Sequence, residues 1–203
     1  MASGAIKPAT DWILTKIADF LAFFRLTPNI LTVTGVFLNA GVAYLLVEGR
    51  FFLGGWVYLA VSLTDMLDGI LARKHNLAST FGAFLDSVMD RFGDSVIFLG
   101  LLLHYGIVRN VPCMMITAIA LAGALITSYT RARAECIIPK CKVGFMERPE
   151  RVILLAIGLV FNRVPICLLL MAVSSLITIV DRFVYTHRQL AEGARKTAPG
   201  DGH

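Results

Sequence analysis

Charge is scarce in this chain. Only 16% of its 203 residues are Asp, Glu, Lys or Arg, against about 25% in an ordinary soluble domain. With 57% hydrophobic residues and a mean hydropathy of +0.72, that shortage excludes a freely soluble globule and predicts a membrane protein. Cysteine is sparse as well. Cys113, Cys136, Cys141 and Cys167 form no CxxC pair, and no histidine stands near Cys136 and Cys141 to complete a zinc site. All four read as free thiols or core fillers. A cleavable signal peptide is not expected, because the first apolar run is short and carries Lys16 and Asp19. Nor is there an internal repeat of the kind that marks inverted-repeat transporters. The net charge of +5 lies between apolar runs, where it meets headgroups or phosphates; nucleic acid is not an expected partner.

What is present is a series of apolar runs. At roughly 20 residues per crossing, about six fit, in one domain over 27–188. The expected spans are 29–47, 51–73, 80–105, 111–135, 147–161 and 165–185, an all-α integral membrane fold of six transmembrane helices. Residues 1–26 precede it. Within them Trp12, Ile13, Ile17, Phe20, Leu21 and Phe24 share one helical face, so an amphipathic helix is expected in the plane of the interface. Residues 189–203 are polar, and a disordered tail is expected. All 19 Lys and Arg except Arg50, Arg109 and Arg163 fall on one side of this topology. That bias puts both termini in the cytoplasm, with the cell membrane as the expected location.

The chemistry lies between Asp65 and Asp90, DMLDGILARKHNLASTFGAFLDSVMD. Asp65 and Asp68 are spaced i,i+3 and Asp86 and Asp90 i,i+4, so each pair shares a helical face. Carboxylates at membrane depth are costly and face a partner or a water-filled cavity. Four close together raise one another's pKa unless cations intervene. Two divalent ions would neutralise them, and hard oxygen ligands suit Mg2+, with Mn2+ possible. Such a pair clamps a phosphoryl group, and one carboxylate can serve as a general base. Gly69 and Ala72 let a backbone or flat ligand approach, and Arg73 suits a phosphate. Two competing readings are aspartates that glue helices together by pairing with Arg73, Arg91, Arg131 or Arg133, and a cation or proton pathway. Asp94 extends the Asp86/Asp90 face, in a structural role by default.

A second polar cluster follows: Ser128, Arg131 and Arg133, then Arg148 and Arg151, with Glu135, Glu147 and Glu150 as their expected ion-pair partners. Arginines at a membrane boundary suit a second phosphate; they also suit simple positive-inside anchoring.

The motif D65-x-x-D68-G69-x-x-A72-R73, then eight residues, then G82-x-x-x-D86-x-x-x-D90 resembles the signature of the CDP-alcohol phosphotransferases. The resemblance covers roughly 27–187. It implies six membrane helices around a polar, cytoplasm-facing cavity, usually in a homodimer. It also implies transfer of a substituted phosphate from a CDP-linked lipid to an alcohol, with release of CMP. By the same resemblance Asp65, Asp68, Asp86 and Asp90 hold two metal ions, and Asp90 is also the general base. Asn29, Ile30, Leu31, Thr32, Gly69, Arg73 and Ser79 match positions that hold the CDP donor. The segments 128–135 and 144–151 are similar to the branch of phosphatidylinositol phosphate and archaetidylinositol phosphate synthases. That likeness implies myo-inositol 1-phosphate as the phosphorylated polyol acceptor, its phosphate held by Arg131, Arg133 and Arg151. Arg131 stands where some relatives are expected to have lysine. Glycerol 3-phosphate and free inositol are the alternative acceptors, and diacylglycerol and archaeol are alternative donor lipids.

Overall fold

The computed structural model describes residues 27–74 and 79–197, and of residues 65–74 and 193–197 it describes the backbone alone. Among the described residues there are six helices: α1 (Pro28–Val47), α2 (Phe51–Lys74), α3 (Thr80–Ile107), α4 (Val111–Ala134), α5 (Arg148–Val160) and α6 (Val164–Thr197). The chain falls into two compact units that divide between Val108 and Arg109.

The starts of these helices follow from local capping. Thr27 caps α1 by accepting from Ile30 N, with Pro28 in the first turn. Ser79 caps α3 by accepting from Gly82 N at 2.9 Å, and Asn110 caps α4 by accepting from Cys113 N at 3.2 Å. α5 opens on a reciprocal capping box between Glu147 and Glu150. Each box or cap satisfies amides that the first turn leaves without partners. The turns Glu48–Arg50, Val108–Asn110 and Phe161–Arg163 each place one residue in the left-handed region: Gly49 (φ 73°), Arg109 (φ 54°) and Asn162 (φ 53°). That is the usual way to reverse the chain just past a helix end.

In the first unit, α1 carries the central seam. Thr32, Gly35, Asn39, Val42, Ala43 and Leu46 are buried at helical spacing. α2 folds back against it, with Gly54 beneath Leu46. α3 runs alongside α1 in the same direction, in contact at Gly82 with Asn29, at Gly93 with Asn39 and at Gly100 with Ala43. The approach is tight because the α3 member is glycine each time. A β-carbon on Gly100 would stand 2.8 Å from the Ala43 carbonyl oxygen. At the far end, His104 Nδ1 donates to Val47 O at 3.1 Å, and its ring meets Phe51 edge-on.

In the second unit, α4 packs on α6 where Gly123 faces Ser175, and α5 packs on α6 where Gly158 faces Cys167. Residues 136–147 form an irregular strap between α4 and α5. Ile138 and Cys141 of the strap are buried with Ala134, against Val143 and Tyr185.

Among the described residues three helices, α1, α4 and α6, are long and apolar enough to cross a membrane. Among the described residues α2 contributes the apolar stretch Phe51–Thr64, ahead of Asp65 and Asp68 in the sequence. α3 carries four charged residues between Asp86 and Asp94. α5, with 13 residues, rises only about 20 Å, short of the roughly 30 Å of hydrocarbon. The expected interfacial helix of 1–26 lies outside the described residues. The expected tail differs from what is seen: α6 runs on to Thr197, past the Gln189 where disorder was expected. Gln, Leu, Ala, Glu, Arg and Lys there are good helix formers, so an existing helix continues through them without an apolar stripe.

Candidate active site

On α3, Gly82, Asp86, Asp90 and Gly93 recur every three or four residues and so form one stripe. Gly82 and Gly93 of that stripe touch α1. Asp86 and Asp90 are therefore set along the α1–α3 seam and not on a lipid-facing surface, and both are half-buried. Between the two contacts α1 presents Thr32 and Gly35, both buried and small. The Arg91 guanidinium turns back and donates to Ser87 O of its own helix. Among the described residues, Arg131 forms ion pairs with Glu135 and Glu147.

The donor-binding candidates sit at the mouth of this seam. Asn29 Oδ1 and Ser79 Oγ converge over Gly82, at 3.3 and 3.0 Å from where its β-carbon would stand. A side chain there would displace both, which accounts for glycine at this position of the motif. Thr32 is buried, and its hydroxyl donates to Pro28 O at 3.0 Å. Leu31 is half-buried, whereas Ile30 is half exposed and lies off the buried stripe. Asp65, Asp68, Gly69 and Arg73 belong to the last turns of α2, and their side chains lie outside the described residues. Asp86 and Asp90 thus supply two oxygen donors a turn apart on a small-residue seam. That donor set fits a hard divalent cation.

The second unit gathers the basic cluster. Arg131, in the last turn of α4, holds Glu135 through Nε at 3.3 Å and Glu147 at 3.2 Å. Glu147 caps α5, whose next turn carries the buried Arg151. Arg133 is exposed, and residues two apart on a helix do not share a face; its grouping with Arg131 rests on the resemblance alone. Sequence reasoning missed Arg182. It is only 3% exposed and lies within electrostatic reach of Arg131, Arg151 and Glu147. Its guanidinium donates to Val143 O at 3.1 Å and to Thr127 O. The available signal was a polar stripe, Ser174, Thr178 and Arg182, at i, i+4 and i+8 in an otherwise apolar helix.

A profile of the CDP-alcohol phosphatidyltransferases matches residues 25–186. The chain belongs to this family. The transferase is 35% identical over 189 residues to archaetidylinositol phosphate synthase of Pyrococcus horikoshii, covering 93% of this chain and 98% of that one. It is 35% identical over 201 residues to phosphatidylinositol phosphate synthase of Mycobacterium tuberculosis, covering 94% and 93%. The crystal structure of that mycobacterial enzyme with CDP-DAG bound superposes with a TM-score of 0.80 at 34% identity, covering 86% of this chain and 93% of that one. A second structure of it, in complex with manganese and citrate, also gives 0.80, covering 85% and 88%. The chain is thus an enzyme of lipid biosynthesis built from apolar membrane helices, of a divalent-metal-dependent family. A cation or proton pathway is set aside as its primary role.

Proposed function

We propose that the transferase moves the phosphatidyl group of CDP-diacylglycerol, or its archaeol counterpart, to a hydroxyl of myo-inositol 1-phosphate and releases CMP. The observation that carries the acceptor is the grouping of Arg131, Arg151 and Arg182 in the second unit. Two of these guanidiniums are buried, and buried charge is stable only when paired. Arg131 pairs with Glu147, and a phosphate dianion suits a guanidinium cluster of this kind. A free, neutral inositol has no anionic group to engage such a cluster. Glycerol 3-phosphate carries the same anion and is separated from inositol 1-phosphate by experiment.

In the mechanism, Asp90 accepts the proton of the attacking hydroxyl. The hydroxyl oxygen bonds to the phosphorus that carries the lipid, and the bond from that phosphorus to the CMP oxygen breaks. Asn29, Ser79 and Gly82 hold the donor at the seam, with Thr32, Leu31, Ile30, Gly69 and Arg73 completing its site. Two divalent ions, Mg2+ or Mn2+, held by Asp65, Asp68, Asp86 and Asp90, would neutralise the carboxylates and the charge that develops on the leaving phosphate. Arg131 and Arg151 orient the acceptor by its phosphate, with Arg133 as an outer contact. Six helices cross the cell membrane, both termini and the cavity face the cytoplasm, and the enzyme is a homodimer. This rests on the charge bias of the loops and on the family resemblance.

The test is metal-dependent CMP release by purified protein over a panel of inositol 1-phosphate, glycerol 3-phosphate and inositol. Asp90→Asn is expected to bind metal and donor but release almost no CMP. Full CMP release by that variant would overturn the base assignment.

A further inference from the structure

The strap between α4 and α5 is stitched to α6 by three side chains one turn apart. Ser174 Oγ lies 3.3 Å from Met146 Sδ and shares its one hydrogen between that sulfur and Met171 O, 3.1 Å away on its own helix. Phe145 N donates to Thr178 Oγ1 at 3.2 Å. Arg182 Nε donates to Val143 O at 3.1 Å. The strap therefore runs antiparallel along α6, one contact per turn, and all three α6 residues are at most 5% exposed. We propose that the Ser174–Thr178–Arg182 ladder positions the acceptor pocket: by setting the register of residues 143–146 on α6 it sets where Arg151 stands relative to Arg131. This rests on the acceptor reading given above.

The chain of contacts is short. Met146 precedes Glu147, which caps α5 and also bonds Arg131 across to α4. Arg151 follows one turn later and is buried. A slip of the strap along α6 moves both ends of that link. Gly144 shows how close the fit is. Its φ is 133°, and a β-carbon on it would stand 2.5 Å from Thr178 Cγ2, so only glycine lies flat at this point. Thr178 is the central rung: its hydroxyl accepts from Phe145 N while donating to Ser174 O at 2.8 Å. Replacing it takes from the Phe145 N–H its partner on α6. None of the ladder residues belongs to the first unit, which carries Asn29, Ser79, Asp86 and Asp90. The effect of breaking it should fall on the acceptor and spare the donor.

The experiment compares full-length wild type, Thr178→Val, Thr178→Ser and Thr117→Val in a CMP-release assay, with each substrate varied at saturating levels of the other. Thr117 is the control: it is fully buried on α4, and its hydroxyl donates to Cys113 O of its own helix. Loss of one hydrogen bond predicts about a five-fold rise in KM for inositol 1-phosphate in Thr178→Val. The KM for CDP-diacylglycerol and kcat stay near wild type. Thr178→Ser restores the acceptor KM, and Thr117→Val lowers the thermal midpoint without moving either KM. A wild-type acceptor KM in Thr178→Val, equal shifts in both KM values, or failure of serine to rescue overturns the proposal. If Thr178→Val does not fold, Ser174→Ala carries the same expectation with a rise of about two-fold, and an unchanged acceptor KM there overturns it. The wild-type protein reports on the acceptor separately. If glycerol 3-phosphate and not inositol 1-phosphate supports CMP release, the acceptor reading falls. The variants are then compared on glycerol 3-phosphate, where an unchanged KM overturns the ladder.

Discussion

Three glycines on α1 and α3 differ in what an added methyl group would meet, and that difference sets an order of stability. At Gly41 on α1 there is nothing within 4 Å. At Gly93 on α3 a β-carbon would stand 2.9 Å from Asn39 Nδ2, the end of a side chain. At Gly100 it would meet the Ala43 carbonyl oxygen at 2.8 Å and the Ala43 Cα and Cβ at 2.9 Å, which are backbone or rigidly attached to it. Replacing a helical glycine by alanine is worth about 1 kcal/mol from helix propensity when nothing opposes it. Overpacking a close contact costs about 1–3 kcal/mol. Gly41→Ala is therefore expected to stabilise by about 1 kcal/mol. Gly93→Ala should be near neutral, since the Asn39 amide can shift by a few tenths of an ångström. Gly100→Ala must part the two helices, so the upper end of the overpacking cost applies and the net loss is about 2 kcal/mol. For a chain of this length that loss lowers the thermal midpoint by about 4–8 °C. Thermal unfolding of the three variants in one detergent measures it. A Gly100→Ala protein as stable as Gly41→Ala would refute the packing of α1 on α3, and with it the placement of Asn29 beside the Asp86/Asp90 stripe.

Other outcomes follow from single sites. Arg109 holds a left-handed backbone (φ 54°) that costs a non-glycine residue about 1 kcal/mol; Arg109→Gly should raise the thermal midpoint, and a fall would show that the arginine side chain outweighs its backbone. Asp86→Asn removes one of the carboxylates on the seam and should lower metal-dependent CMP release at least about a hundred-fold, measured at saturating donor and acceptor. Arg151→Gln should raise the acceptor KM by about ten-fold or more, the worth of a charged hydrogen bond, while leaving the donor KM unchanged in the same assay.

Much of this architecture was legible because its signals are local. Thr27-Pro28, Ser79, Asn110 followed by Pro112, and Glu147 with Pro149 mark four helix starts, and each chemistry acts within one turn. The carboxylate motif was legible for a similar reason: spacing alone puts Asp86 and Asp90 on one face. The pairings of Asn39 with Gly93 and Ala43 with Gly100 were not, because residues far apart in the chain decide them and a glycine in an apolar run says nothing about its partner. Arg182 was overlooked since a lone arginine near the end of an apolar helix reads as a boundary charge; only its bonds to Val143 and Thr127 show it to be buried. The stretch after Gln189 is polar, with Gly, Pro and charge, which predicts a tail, yet good helix formers extend a helix that has already nucleated.

The central claim is a transfer reaction with a phosphorylated inositol acceptor, and the product lipid tests it most directly. Purified protein is incubated with CDP-diacylglycerol, Mg2+ and inositol 1-phosphate, and CMP and lipid are quantified by mass spectrometry. The account predicts equimolar CMP and phosphatidylinositol phosphate, and neither when the metal is chelated. CMP release that requires glycerol 3-phosphate instead, or a product lipid that lacks the inositol phosphate, would contradict it.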